Sequence, residues 1–179
     1  MWVPLAFGLL PGRAERDYNS FFQILKSLVE KHIGPQELRI RKVICDFERA
    51  IHNAVSDNFG EDTDIMGCFF HFSQCIWRRT QNAGMVKNYC DKKSQIRKFV
   101  TCVVALAHVP PNRLKEAYHI LKNFKFTDIE EIKFKDEMTK YINQQWINNS
   151  SMPVARWNVW KRKAHLTNNA QVRFFLNSL

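Results

Sequence analysis

The sequence predicts an α/β fold with an all-helical subregion, and three observations predict it. Strand-like and helix-like apolar patterns alternate over residues 1–84. Residues 85–150 then carry helix-period patterns one after another, with no strand-like run among them. A polar break at Asn148 to Pro153 precedes the last stretch, in which an apolar helix pattern returns. With 179 residues, 45% of them hydrophobic, the chain is long enough for one domain, burying roughly 70% of its unfolded surface.

Each element has a local reason. Val3 to Leu10 reads as a buried strand that Pro11-Gly12 turns. Asp17 can cap the next helix, whose stripe is Tyr18, Phe21, Phe22, Leu25, Leu28 and Val29. Gly34-Pro35 stops it. Leu38 to Cys45 is the second strand, followed by a helix that turns Phe47, Ala50, Ile51, Ala54 and Val55 inward and ends at Phe59-Gly60. Ile65 to Phe70 is the third strand. From about His71 a helix points Phe72, Cys75 and Ile76 inward and Arg78 and Arg79 outward. Beyond Gly84, Lys92 to Leu106 is helical, with Ile96, Phe99, Val100, Val103 and Val104 on one side. Pro111 suits the first turn of a helix carrying Leu114, Ala117, Tyr118 and Leu121. Asp128 and Glu131 resemble a capping box for a helix reaching about Trp146. A last helix starts near Asn168 and runs into Phe174, Phe175 and Leu176.

The formal net charge of +10 is large for this length and favours polyanions, either nucleic acid or an acidic membrane surface. Five cysteines in apolar segments form no even-numbered framework, which predicts reduced, buried thiols in an intracellular protein. Nothing approaches the roughly 18 apolar residues of a membrane span. Met1 to Leu10 lacks a basic start and is broken by Pro4 and Gly8, so it does not read as a secretory signal. Asn149-Ser150-Ser151 is a glycosylation sequon by chance in a protein that is not secreted.

The chemistry concentrates at Asp46, which closes the β-branched run Arg41 to Cys45 and stands just ahead of a helix. A second strand then ends in Cys68-Phe69-Phe70-His71. Strand, acid, helix, strand and Cys-x-x-His follow in the order of a polynucleotidyl-transfer site. Cys68 and His71 have the spacing of half a zinc site, with Cys45 and Cys75 as conceivable further ligands. Thiols packed in apolar surroundings beside a hydrogen-bonded His explain the same pair. Glu48 either helps Asp46 to hold a cation or stabilises the helix start through the dipole. Asp46 can cap that helix as well. In the tail, Arg156, Lys161, Arg162, Lys163 and Arg173 interleave with Trp157, Trp160, Phe174 and Phe175. Arg78 and Arg79 begin a second cluster with Lys87, Lys92 and Lys93. Cations neutralise phosphates and aromatics stack on unpaired bases, unless the rings are core and the cations a solvated face.

Read together, several segments resemble the transposase domain of Mutator-like elements, one of the ribonuclease H-like DDE recombinases. They are Val3 to Pro11, Tyr18-x-x-Phe21-Phe22-x-x-Leu25-Lys26, Cys45-Asp46-Phe47-Glu48-x-Ala50-Ile51 and Gly67-Cys68-Phe69-Phe70-His71-Phe72-x-Gln74. Trp157-Asn158 and Thr167-Asn168-Asn169-Ala170 resemble the approach to the family's last catalytic acid. The resemblance implies three carboxylates holding two Mg²⁺ or Mn²⁺ ions for DNA strand cleavage and transfer, with Asp46 as the second acid. It marks Glu48, Cys68 and His71 as family motif residues. The family's first strand with its Asp, and its second strand, should precede the Val3 segment, and no Asp or Glu follows Glu137.

The resemblance therefore implies a truncated ribonuclease H-like three-layer fold, with a sheet of about three strands and an all-α insertion. Residues 1–84 would be a partial core, 85–150 the insertion and 151–179 the returning segment. The implied function is that of a transposase-derived domain, catalytically degenerate, with Asp46 a vestige. Weak, sequence-independent DNA binding by the basic residues, or association with an intact transposase in the nucleus, is what remains. Two other readings stand beside it. One is an active transposase whose further acids come from outside this chain; the other is an interaction module with no DNA role.

Overall fold

The computed structural model describes residues 6–34 and 40–162. The protein is mixed α/β and mostly helical, with one small parallel sheet. It forms two compact units, the first ending at Cys68 and the second beginning at Phe69.

In the first unit helix α1 (Glu15–Ile33) precedes strand β1 (Lys42–Cys45), helix α2 (Arg49–Phe59) and strand β2 (Asp64–Gly67). The strands pair in parallel from Lys42 opposite Asp64 to Cys45 opposite Gly67. Parallel neighbours need a crossover, and α2 supplies it. Cys45, Val55 and Ile65 form the buried centre, closed by Phe22, Val43, Ile51 and Phe59. Phe22 reaches from α1 and meets Phe59 edge to face at 5.3 Å. A polar ladder joins the same two helices: Asn53 Nδ2 donates to Glu15, and Asn58 Nδ2 to Asn19, each at 2.6 Å. Both helices end on glycines with positive φ, Gly34 at 99° and Gly60 at 89°, as their sequence positions predict.

Three expectations need correction here. Among the described residues the sheet has two strands. The described part of the expected first strand, Ala6 to Leu10, is not a strand, and Phe7 is 90% exposed. Its backbone instead crosses α1, where a Cβ on Gly8 would strike the Phe21 ring. An apolar run alone could not distinguish this from burial. Next, α1 begins at Glu15 with Ala14 at the N-cap, and Asp17 serves one turn in, its carboxylate accepting the Ala14 N–H at 3.0 Å. Finally, β2 stops at Gly67 and α3 starts at Phe69, so Phe69 and Phe70 are helical rather than strand residues.

The second unit is all helix: α3 (Phe69–Asn82), α4 (Val86–Cys90), α5 (Gln95–Ala105), α6 (Leu114–Lys122), α7 (Ile129–Ile142) and the single turn α8 (Val154–Trp157). Ser94 caps α5 by accepting from the Ile96 N–H, and Asp128 caps α7 by accepting from Glu130 and Glu131. Glu131 does not close the expected box; its carboxylate accepts from Asn88 Nδ2 at 3.1 Å. After Ile142 the helix widens into a π turn, Asn143–Ile147, which carries Trp146 inward. Two aromatic groups organise the core. Phe99 meets Phe124, Phe126 and Phe134 by edges. Phe72 stacks on Trp157 with centroids 5.2 Å apart and meets Trp146 edge to face at 4.7 Å. The expected helix near Asn168 lies outside the described residues.

Candidate functional site

Asp46 follows the last residue of β1, at the carboxyl end of a parallel strand, where α/β proteins place ligands. Its Oδ1 accepts the Phe47 N–H at 2.6 Å. The N-cap of α2 is Glu48, so Asp46 stands two residues ahead of the position from which it could cap that helix. Its backbone carbonyl is held by His52 Nε2 at 2.7 Å. A carbonyl only accepts, so Nε2 carries a proton and donates it in this contact. His52 is buried on α2. His52 lies five residues past Phe47 and off the stripe of Phe47, Ala50, Ile51, Ala54 and Val55, so spacing alone gave no signal for it.

Glu48 makes no side-chain cap bond despite its position. Its carboxylate turns to α1 instead. Oε2 accepts from the Tyr18 hydroxyl at 2.6 Å, and Oε1 from Arg13 at 3.2 Å. The Glu48 hydrogen bond, with burial, pushes the Tyr18 phenol from its ordinary 10.0 up to about 12. Tyr18 belongs to the apolar stripe by spacing, which sorts residues by face and is blind to the hydroxyl at the tip.

Cys45 and Cys68 are both buried and outside any disulfide. The Cys68 N–H donates to the Cys45 carbonyl at 2.9 Å, carrying the ladder one residue beyond the strands. Cys68 belongs to the first unit, whereas His71 and Cys75 lie on α3 in the second. Among the described residues no three His, Cys, Asp or Glu side chains gather as metal ligands. Gly67 has a structural reason of its own: the Phe47 ring lies where a Cβ would stand.

The cations have separate surroundings. On α3, Arg78 donates to Gln74 at 3.1 Å, while the Arg79 guanidinium lies 4.1 Å over the Tyr141 ring. Arg156 is half-buried, Lys161 is exposed, and Arg162 Nη2 donates to the Ala155 carbonyl at 2.6 Å. Lys163 and Arg173 lie outside the described residues, as do Phe174 and Phe175. Trp157 is fully buried and donates its indole N–H to the Trp146 carbonyl at 2.8 Å, which makes it core. An open cleft of about 480 Å³ is lined by Lys87, Asn88, Asp91, Ser94, Gln95 and Glu131, cation against acid, and presents no field of one sign.

The strand pair, its helical crossover and the carboxylate at the end of β1 define an α/β unit with its polar site at the strand ends. Residues 1–75 match the family model described as the MULE transposase domain, so this segment is similar to Mutator-like transposase sequence. The match takes in Asp46, Glu48, Cys68 and His71 and stops short of Arg78. No curated protein matches the chain, and no solved structure does.

Proposed function

We propose that the chain is a transposase-derived domain that binds DNA through its helical unit and does not cut it by itself. The observation that carries the reading is where the charge lies. Residues 69–162 hold 17 Lys and Arg against 7 Asp and Glu, whereas residues 1–68 hold 8 against 10. The helical region alone thus accounts for a charge of +10, and the α/β segment is slightly acidic. A surface of this kind gains affinity by releasing counterions from phosphates, without reading sequence. On the same reading β1 and β2 are two parallel strands of a ribonuclease H-like sheet, and the helices beyond Gly84 its insertion.

What supports the lack of cutting is how the carboxylates are used. Asp46 turns an oxygen to the Phe47 N–H, and Glu48 gives one oxygen to Tyr18 of α1 and the other to Arg13, two residues ahead of that helix. Two-metal strand transfer needs acids free to converge on the ions.

Duplex affinity measured across a salt series tests the first half. The logarithm of the binding constant should fall linearly with that of salt, by about 0.9 per phosphate neutralised. A flat response, or no binding, would sink it. Nicking of supercoiled DNA in Mg²⁺ or Mn²⁺ tests the second half. The wild type should leave the DNA intact, and divalent-dependent nicking that disappears in Asp46→Ala overturns the proposal.

A further inference from the structure

Trp157 and Trp160 look alike in the sequence, yet one is fully buried and the other is 43% exposed. The backbone that presents Trp160 is fastened on both sides. The Val159 N–H donates to the Ala107 carbonyl at 2.7 Å, and the Arg162 N–H returns to the Val159 carbonyl at 3.1 Å, closing a turn. Asn158 is itself buried; its Nδ2 donates to the Val109 carbonyl at 2.8 Å and its Oδ1 accepts the Trp160 N–H at 3.0 Å. Arg162 fixes the far side through the Ala155 carbonyl. Between them Lys161 adopts φ 59°, the only positive value for a non-glycine among the described residues. Such a conformation is costly for a side chain with a Cβ and persists where neighbouring bonds over-determine it.

The outcome is a large indole held out on a rigid turn, beside an exposed lysine, in a stretch where no Asp or Glu follows Glu137. Rigid aromatics lose little entropy on binding, and indole is among the rings most often found as an anchor. Its flat face meets the face of a base only where that base is not already stacked within a duplex. Lysine beside it suits the adjoining phosphate.

We propose that Trp160 is a stacking contact for an unpaired DNA base, with Lys161 meeting the phosphate next to it. This rests on the DNA-binding reading above. The test compares a labelled oligo-dT with a duplex of equal length, binding to the full chain as wild type, Trp160→Ala and Trp160→Phe. Thermal melts check that each variant keeps its fold, which the exposure of Trp160 favours. Trp160→Ala should weaken oligo-dT binding by about 5- to 100-fold and leave duplex binding within about twofold. Trp160→Phe, which keeps a π face, should recover most of the loss. If the wild type binds both DNAs and Trp160→Ala changes neither, the stacking contact is overturned and DNA binding stands. An equal loss on both DNAs also overturns it. A wild type that binds neither overturns both readings.

Discussion

A carboxylate at the start of a helix ordinarily serves the helix, but Glu48 serves the neighbouring one. Its bonds to Tyr18 and Arg13 tie α2 to the first turn of α1. The tie has a pH signature whose sign follows from the folded phenol titrating at about 12 against 10.0 when free. Its pKa is raised, so the fold favours the neutral phenol. The contribution is complete below pH 10 and is lost as pH rises from there through about 12. Burial also raises Tyr118 and Tyr141, so spectroscopic titration of tyrosinate should show several late components, of which the latest is missing in Tyr18→Phe. If the latest component survives that substitution, the tie is not its origin. At this scale the sequence is legible in type and misleading in role. Asp46 and Glu48 stand out, yet Asp46 is engaged by its own neighbours Phe47 and His52, and the Glu48–Tyr18 contact depends on α1 lying beside α2, which no spacing within either helix encodes.

At the scale of elements, the long helices are legible because an apolar stripe of three or more turns has no good alternative reading. Short pieces are not. α4 spans five residues and α8 four, too few to display a period, and the π turn at Asn143–Ile147 continues the α7 pattern while altering its spacing. Strand ends are equally hard to read, since β2 yields to α3 within two residues. At the end of β2, Gly67 leaves room for the Phe47 ring, which lies where a Cβ would stand. A side chain there must displace that ring. Gly67→Ala should therefore destabilise the fold by roughly 1–3 kcal/mol, the cost of overpacking a filled site. Chemical denaturation of the full chain measures it. The companion variant Phe47→Leu with Gly67→Ala should restore part of the loss, and a Gly67→Ala variant as stable as the wild type would show that the ring yields freely.

Across the whole molecule the decisive quantity is the partition of charge, which composition contains but does not display. The total of +10 is plain in the sequence. What it lacks there is a boundary, and the division at Cys68–Phe69 supplies one. Every acid that the family resemblance singles out then falls in the slightly acidic segment, and the surplus of cations among the described residues falls in the helical one. The partition makes a prediction that composition cannot make, because two double charge reversals of equal size should have unequal effects. Lys92→Glu with Lys93→Glu changes exposed cations between α4 and α5, and Arg16→Glu with Arg41→Glu changes exposed cations of the first unit. Each lowers the net charge by the same amount. If binding followed net charge alone, the two would weaken duplex affinity alike. If the helical unit forms the footprint, the first pair should flatten the salt slope by about 0.9 for each phosphate no longer neutralised, while the second leaves the slope unchanged and lowers affinity only through the weaker long-range field. Binding constants at several salt concentrations for the two variants and the wild type decide between them. A slope reduced by the Arg16 and Arg41 changes and not by those at Lys92 and Lys93 would move the footprint to the α/β unit and end the assignment of DNA to the helices.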